Sequence, residues 1–118
     1  MNLQECYSAI GGDYQDALKR LMNERIVQKF VFKFLDDPSF DNLIRSMDEK
    51  DYKEAFRAAH TIKGVCQNLS FSRLCDSSSR LTEALREEKS ENYQVLLEQV
   101  KADYEKTASG IRELKASV

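Results

Sequence analysis

The sequence predicts an all-α fold, an antiparallel up-and-down four-helix bundle with an extra short N-terminal helix. The 118 residues include only four glycines and one proline, too few for the many tight turns of an all-β fold. Apolar residues recur at three- and four-residue steps along most of the chain. Short polar connections join these segments, as they join antiparallel helices. We expect a single domain over residues 1–118, because this length is typical of one domain.

The first elements are two helices. A short one is predicted over residues 3–10, before a glycine pair. Asp13 is a suitable N-cap residue, and the apolar steps that follow it predict one long amphipathic helix reaching Phe34. Pro38 ends this segment, since it lacks an N–H donor and disfavours helical geometry in the residue before it. Three aromatic residues are expected in the core: Phe30, Phe34 and Tyr104.

The remaining elements are a short helix and three long ones. Residues 40–47 carry a short apolar stripe. Asp51, with a glutamate three residues later, resembles a capping box and predicts a helix from there to about Asn68. Ser70 is expected to cap the next helix, and Ser90 is expected to cap the last one.

Charge and cysteine content limit the class of protein. The net charge is −2 and no basic block is present, which argues against nucleic-acid binding. The longest apolar run, FVFKFL, is too short to span a bilayer, so no membrane partner is expected. The three cysteines have no C-x-x-C spacing, and the N-terminus lacks a signal-peptide pattern. We therefore expect a cytoplasmic protein with reduced thiols.

The only histidine, His60, falls on the outer face of its predicted helix. At about 100° per residue, an apolar seam lies within about 40° of Ala55. His60 falls at about 140° from Ala55, Lys63 at about 80°, Gly64 at about 180° and Gln67 at about 120°. A glycine inside a helix costs about 1 kcal/mol relative to alanine. Because Gly64 points outward, we expect it to allow close approach of a partner.

This arrangement favours covalent use of the imidazole. A metal site would need three or four ligands, and a second histidine is absent. Cys66 lies on the apolar seam, about 100° around the helix from His60, so a Cys–His nucleophile pair is not expected. A neutral imidazole nitrogen is a competent nucleophile near pH 7. Lys63 would offset the charge of an added phosphoryl group. We expect no metal and no cofactor.

Several motifs together resemble the signature of histidine-containing phosphotransfer (HPt) domains. They are AHTIKG around His60, then QNL, then Arg73-Leu74, and the resemblance extends over most of the chain. It implies a four-helix bundle that carries phosphoryl groups between histidine and the aspartates of response-regulator receiver domains, in relays fed by hybrid sensor histidine kinases. One departure is Ser70, which stands where the family commonly has glycine and puts the local turn geometry in question.

The resemblance also implies roles for four residues. His60 is the phosphorylated residue, Lys63 stabilises the phosphate and the docked receiver, and Gly64 leaves room for the receiver. Gln67 has a weaker polar role. The chain lacks a Gly-rich phosphate loop, so we expect a phosphocarrier without autokinase activity, not an enzyme. We expect a monomer, because the core of one bundle accounts for the apolar stripes. The alternative is a helical adaptor that binds a receiver domain without phosphotransfer.

Two further side chains flank the histidine. Phe56 falls beside the His60 face, where it either packs under the preceding helix or meets the partner, and packing is the preferred interpretation. Arg57 lies on the outer face, where a solvated charge is the default and contact with an acidic receiver is the alternative.

Overall fold

A computed structural model describes all 118 residues. Helices hold 83% of them and no strand is present, which confirms the all-α class. A 3₁₀ turn at Ser90–Asn92 precedes the last helix. The seven α-helices are α1 (Leu3–Ile10), α2 (Tyr14–Leu21), α3 (Glu24–Phe34), α4 (Ser39–Asp48), α5 (Tyr52–Leu69), α6 (Ser72–Arg86) and α7 (Tyr93–Ser117).

The later helices pack on their neighbours in chain order. α4 lies against α5, α5 against α6 and α6 against α7, while α1 covers part of α7. One cluster of 25 buried hydrophobic residues forms the core between them. None of the helices combines the length and the apolar character that crossing a bilayer requires.

The prediction of one long helix from Asp13 to Phe34 is wrong, because this segment forms two helices, α2 and α3. Met22 has a φ of 81°, outside the helical region. The side chain of Asn23 then accepts a hydrogen bond from the N–H of Ile26 at 2.9 Å and caps α3. Asparagine competes for backbone donors in this way. The apolar steps continue across the break, so the periodicity gave no sign of it.

The aromatic residues divide between the core and the surface. Phe34 is buried, as expected. Tyr104 is half-buried and its ring stacks on Phe40 of α4, with the centroids 3.8 Å apart. Phe30 is 41% exposed, so the expectation that it lies in the core is wrong. It lies beside the buried stripe of Val27, Val31 and Phe34, where it lines an open cleft between α3 and α5.

The predicted caps have different outcomes. Asp51 caps α5 by accepting the N–H of Glu54 at 3.2 Å, which confirms the predicted start. Ser70 does not cap α6. It ends α5 in the left-handed conformation, with φ 55° and ψ 41°, and α6 follows Phe71 without a side-chain cap. Ser90 begins the 3₁₀ turn, so it does not cap α7 either.

The C-terminal end of α5 is tied to the turn between α1 and α2. The N–H of Asp13 donates to the carbonyl of Ser70 at 2.8 Å, and the N–H of Arg73 donates to the carbonyl of Gly11 at 3.1 Å. The buried hydroxyl of Tyr7 donates to the carbonyl of Leu69 at 2.8 Å. These bonds occupy carbonyls that a helix end leaves without partners. They fix the position of α5 relative to the N-terminal helices.

Candidate functional site

Helix α5 carries the candidate site and is anchored by the predicted apolar seam. All members of the seam are buried: Ala55, Ala59, Ile62, Cys66 and Leu69. Ala58 is buried beside them. Because one stripe of small and apolar side chains faces the core, the residues on the opposite side of the helix must face outward.

The four residues predicted for the site lie on this outer face. His60 and Gln67 are exposed, and Lys63 and Gly64 are half-buried. A rise of about 1.5 Å per residue puts Gly64 about 6 Å along the axis from His60, and Gln67 about 10 Å from it. The helix therefore brings His60, Lys63 and Gly64 together. Gln67 lies further along, in a cleft shared with Asp16 of α2, with Ser70 and with the first turns of α6.

A side chain on Gly64 would point into open space. A Cβ atom added to it would meet no heavy atom within 4 Å. Packing inside the molecule therefore does not require glycine at this position. No closer packing within the molecule offsets the cost of about 1 kcal/mol in helix propensity.

The charges around His60 leave one cation unpaired. Arg57 is exposed, and its guanidinium lies 3.2 Å from the carboxylate of Glu54. The ammonium of Lys63, by contrast, pairs with no carboxylate within 4.0 Å. Lys63 lies one turn after His60 on the same face, so its charge is free to pair with an anion bound at the imidazole.

Other nucleophile and ligand sets are not assembled around the histidine. Cys66 is fully buried, and burial raises the pKa of its thiol well above the usual value, so the sulfur stays protonated. No group of three or more His, Cys, Asp or Glu residues is placed to hold a metal ion. The imidazole is thus the reactive group that this helix presents.

Sequence reasoning left the surroundings of Phe56 open. The half-buried ring lies nearly parallel to the imidazole of His60, at 9° with the centroids 5.9 Å apart. On α6, the helix that follows, the guanidinium carbon of Arg86 lies 5.1 Å from the Phe56 centroid. The first contact follows from the four-residue step between Phe56 and His60, a signal that the sequence analysis did not use. Nothing in the sequence indicated Arg86, because 30 positions separate it from Phe56.

An apolar cleft lies on the other side of the His60 face. It has a volume of about 310 Å³ and runs between α5 and the α2–α3 segment. Its apolar lining is Leu21, Phe30, Phe34, Val65 and Leu69. Asn68, one turn after Gly64, lies at its edge. The sequence did not indicate the cleft, because it depends on how α3 lies against α5.

These features define a class of protein, the all-helical domain that presents a histidine on its surface. One helix face carries the exposed histidine, an unpaired lysine and a glycine with open space beside it. Among known families, the Hpt domain matches residues 25–110, most of the chain. The chain belongs to the Hpt domain family. Membership implies phosphotransfer in a two-component phosphorelay, and Hpt domains are phosphocarriers. Searches of curated proteins and of solved structures gave no match.

Proposed function

We propose that this chain is a histidine phosphocarrier that accepts a phosphoryl group on His60 and exchanges it with the aspartate of a receiver domain. The observation that carries the proposal is the open space at Gly64, one turn from an exposed histidine. Packing within the molecule does not require this glycine, and the missing side chain leaves room for another molecule to approach the helix. A hybrid sensor histidine kinase supplies the phosphoryl group to the relay.

The transfer step uses the imidazole as a nucleophile. The unprotonated ring nitrogen of His60 attacks the phosphorus of the receiver's aspartyl phosphate while the other nitrogen keeps its proton. The new N–P bond forms as the P–O bond breaks, and the electron pair of that bond returns to the aspartate carboxylate. The reverse step returns the phosphoryl group. In this proposal Mg²⁺ belongs to the receiver's acidic site, and the chain has no autokinase activity.

Three neighbours assist His60 in this proposal. Lys63 offsets the negative charge of the phosphoryl group, which is about 1.5 to 2 units near pH 7. Gly64 admits the receiver backbone, and Gln67 contributes a polar contact at the edge of the docked area. The unpaired ammonium of Lys63 supports its part.

The receiver surface is proposed to cover His60, Gly64 and the adjoining apolar cleft. Docking on this side buries the exposed ring of Phe30, which otherwise remains an exposed large apolar residue. The scaffold is proposed to be a single domain over residues 1–118, in which α4 to α7 form the antiparallel bundle. Packing of these helices in chain order supports that arrangement. We propose that the carrier acts as a cytoplasmic monomer, without nucleic acid or membrane partners.

Phosphotransfer to a His60→Gln variant tests the acceptor. A receiver domain carrying radiolabelled phosphate is mixed with wild type or the variant, and the label on this chain is measured. Wild type should gain label that is acid-labile and base-stable, and the variant should gain none. Label on the variant would falsify the assignment of His60. An unlabelled wild type that still binds the receiver would instead support the adaptor alternative.

Lys63→Ala tests the role of the unpaired cation. Loss of a cation beside the phosphoryl group should slow transfer or shorten the phosphohistidine lifetime several-fold, roughly the effect of one charge-assisted contact. The melting temperature should stay near that of wild type, because Lys63 makes no ion pair in the fold. Arg57→Ala is the matched control on the same face. Equal rates and lifetimes for wild type and Lys63→Ala would remove Lys63 from the site.

A further inference from the structure

The ring of Phe56 occupies a specific place beside the candidate phosphoacceptor. It lies one turn before His60, nearly parallel to the imidazole, with the centroids 5.9 Å apart. The histidine is exposed. Its other neighbours at three- and four-residue steps are the flexible side chains of Arg57 and Lys63 and the glycine Gly64, none of which offers a rigid surface. Phe56 is therefore the rigid aromatic group available within α5 to limit rotation of the imidazole.

Helix α6 holds Phe56 in this place. The guanidinium carbon of Arg86 lies 5.1 Å from the centroid of the ring, within the range of a cation–π contact. Arg86 is itself oriented by Glu83, whose carboxylate lies 3.4 Å from its Nε. The last turn of α6 thus supports Phe56, and Phe56 in turn lies against His60.

We propose that Phe56, supported by Arg86, positions the imidazole of His60 for phosphoryl transfer. The two rings are nearly parallel, and a separation of 5.9 Å means that they are offset. The lone pair of an imidazole nitrogen lies in the ring plane, so the edge of the imidazole that points away from Phe56 stays free. Restricting an exposed side chain before the partner arrives removes an ordering cost from the transfer step. Phe56 and Arg86 are positioning residues, because they act through His60. This role rests on the proposed function of His60.

Kinetics of Phe56→Ala provide the first test. The first-order transfer rate at saturating phosphorylated receiver should fall about tenfold, while the receiver concentration at half-saturation changes little, because orientation is lost and docking is kept. Phe56→Tyr keeps an aromatic ring and should stay close to wild type. Arg86→Gln should give a smaller loss, of about two- to threefold, since the ring remains but loses its support.

Phe32→Ala is the matched control. Phe32 is also half-buried and also lies under a cation, with the ammonium of Lys115 of α7 5.8 Å from its centroid. This substitution should leave the transfer rate unchanged. Proton–carbon NMR of the His60 ring gives a readout independent of transfer: its chemical shifts should move in Phe56→Ala and stay in Phe32→Ala.

The outcomes separate the two proposals. Wild-type transfer rates and unmoved His60 shifts in Phe56→Ala, with label still on His60, would overturn the positioning role alone. An equal loss of rate in Phe32→Ala would overturn it as well, since the effect would then be structural. If Phe56→Ala does not fold, Arg86→Gln is the deciding variant, and a wild-type transfer rate with unmoved His60 shifts in Arg86→Gln overturns the proposal. Failure of wild type to accept label overturns both proposals.

Discussion

Two helical glycines, Gly64 in α5 and Gly110 in α7, have opposite surroundings. A Cβ added to Gly110 would lie 2.5 Å from Cγ2 of Ile10, on the helix that packs across it. A Cβ added to Gly64 would meet nothing within 4 Å. Helix propensity penalises both equally, by about 1 kcal/mol. Gly110 allows two helices of the fold to approach each other, whereas Gly64 has no such use inside the molecule.

The difference indicates why a glycine stands at each of the two positions. Gly110 serves stability, since α1 and α7 can pack closely only without a side chain there. Gly64 lowers the stability of α5, and no other part of the molecule packs more closely because of it. It stands one turn after an exposed histidine on a chain of the Hpt family, which supports our proposal that it leaves room for a docking protein.

Gly110→Ala should have the largest effect on the free energy of unfolding. The new methyl would lie 2.5 Å from Cγ2 of Ile10 and must displace that β-branched side chain. Overpacking this severe costs about 3 kcal/mol, which outweighs the gain of about 1 kcal/mol in helix propensity. Urea denaturation of the purified chain measures the loss. In an Ile10→Ala background the same substitution should cost much less, because its partner atom is gone. An equal cost in both backgrounds would break the comparison.

Gly64→Ala should have a smaller effect of opposite sign. Alanine is the better helix former and meets no neighbour, so the free energy of unfolding should rise by about 1 kcal/mol. The same urea titration measures it. A destabilised variant would mean that Gly64 has an intramolecular role, and the contrast with Gly110 would fail.

Ser70→Gly should give the smallest effect relative to wild type, because it loses a hydrogen bond and relieves a backbone strain. The left-handed conformation of Ser70 costs about 1 kcal/mol for a residue with a Cβ, and its hydroxyl donates to the carboxylate of Asp16 at 2.5 Å. Ser70→Gly and Ser70→Ala both lose the hydroxyl, but only glycine relieves the backbone. The glycine variant should therefore be more stable than the alanine variant by about 1 kcal/mol. Equal stabilities would contradict the strain at this turn.

The hydrogen bond from Ser70 also predicts a pH dependence. Donation by Ser70, with a smaller part from Arg20, holds the pKa of Asp16 below its usual value of 3.8. A lowered pKa means that the stabilisation is complete above that value and is lost as pH falls through the lowered pKa. The difference in unfolding free energy between wild type and Ser70→Ala should shrink in acid. A difference that stays constant from neutral pH to about pH 2.5 would contradict this contribution.

The sequence was sufficient for the parts of the fold that depend on local patterns. The seam of α5 and its Asp51 cap follow from helical periodicity and one side-chain acceptor, and both are confirmed. The break at Asn23 could not be predicted, because the apolar steps run on across it. Ser70 was assigned to the wrong helix, since its place is set by the turn between α1 and α2, which is distant in sequence.

The candidate site could be predicted where it lies on one helix. His60, Lys63 and Gly64 share a face because of their spacing alone. The support that Arg86 gives to Phe56 comes from a second helix, so it required knowledge of how α5 and α6 pack. The apolar cleft likewise depends on the position of α3 against α5.

Phosphoryl transfer to a Gly64→Leu variant tests most directly the claim that this face is kept open for a partner. The transfer rate from a phosphorylated receiver should fall about tenfold or more, because a bulky side chain displaces the donor from His60. The melting temperature should not fall. Ala102→Leu, on the exposed face of α7, is the matched control and should transfer like wild type. Unimpaired transfer in Gly64→Leu would contradict the account.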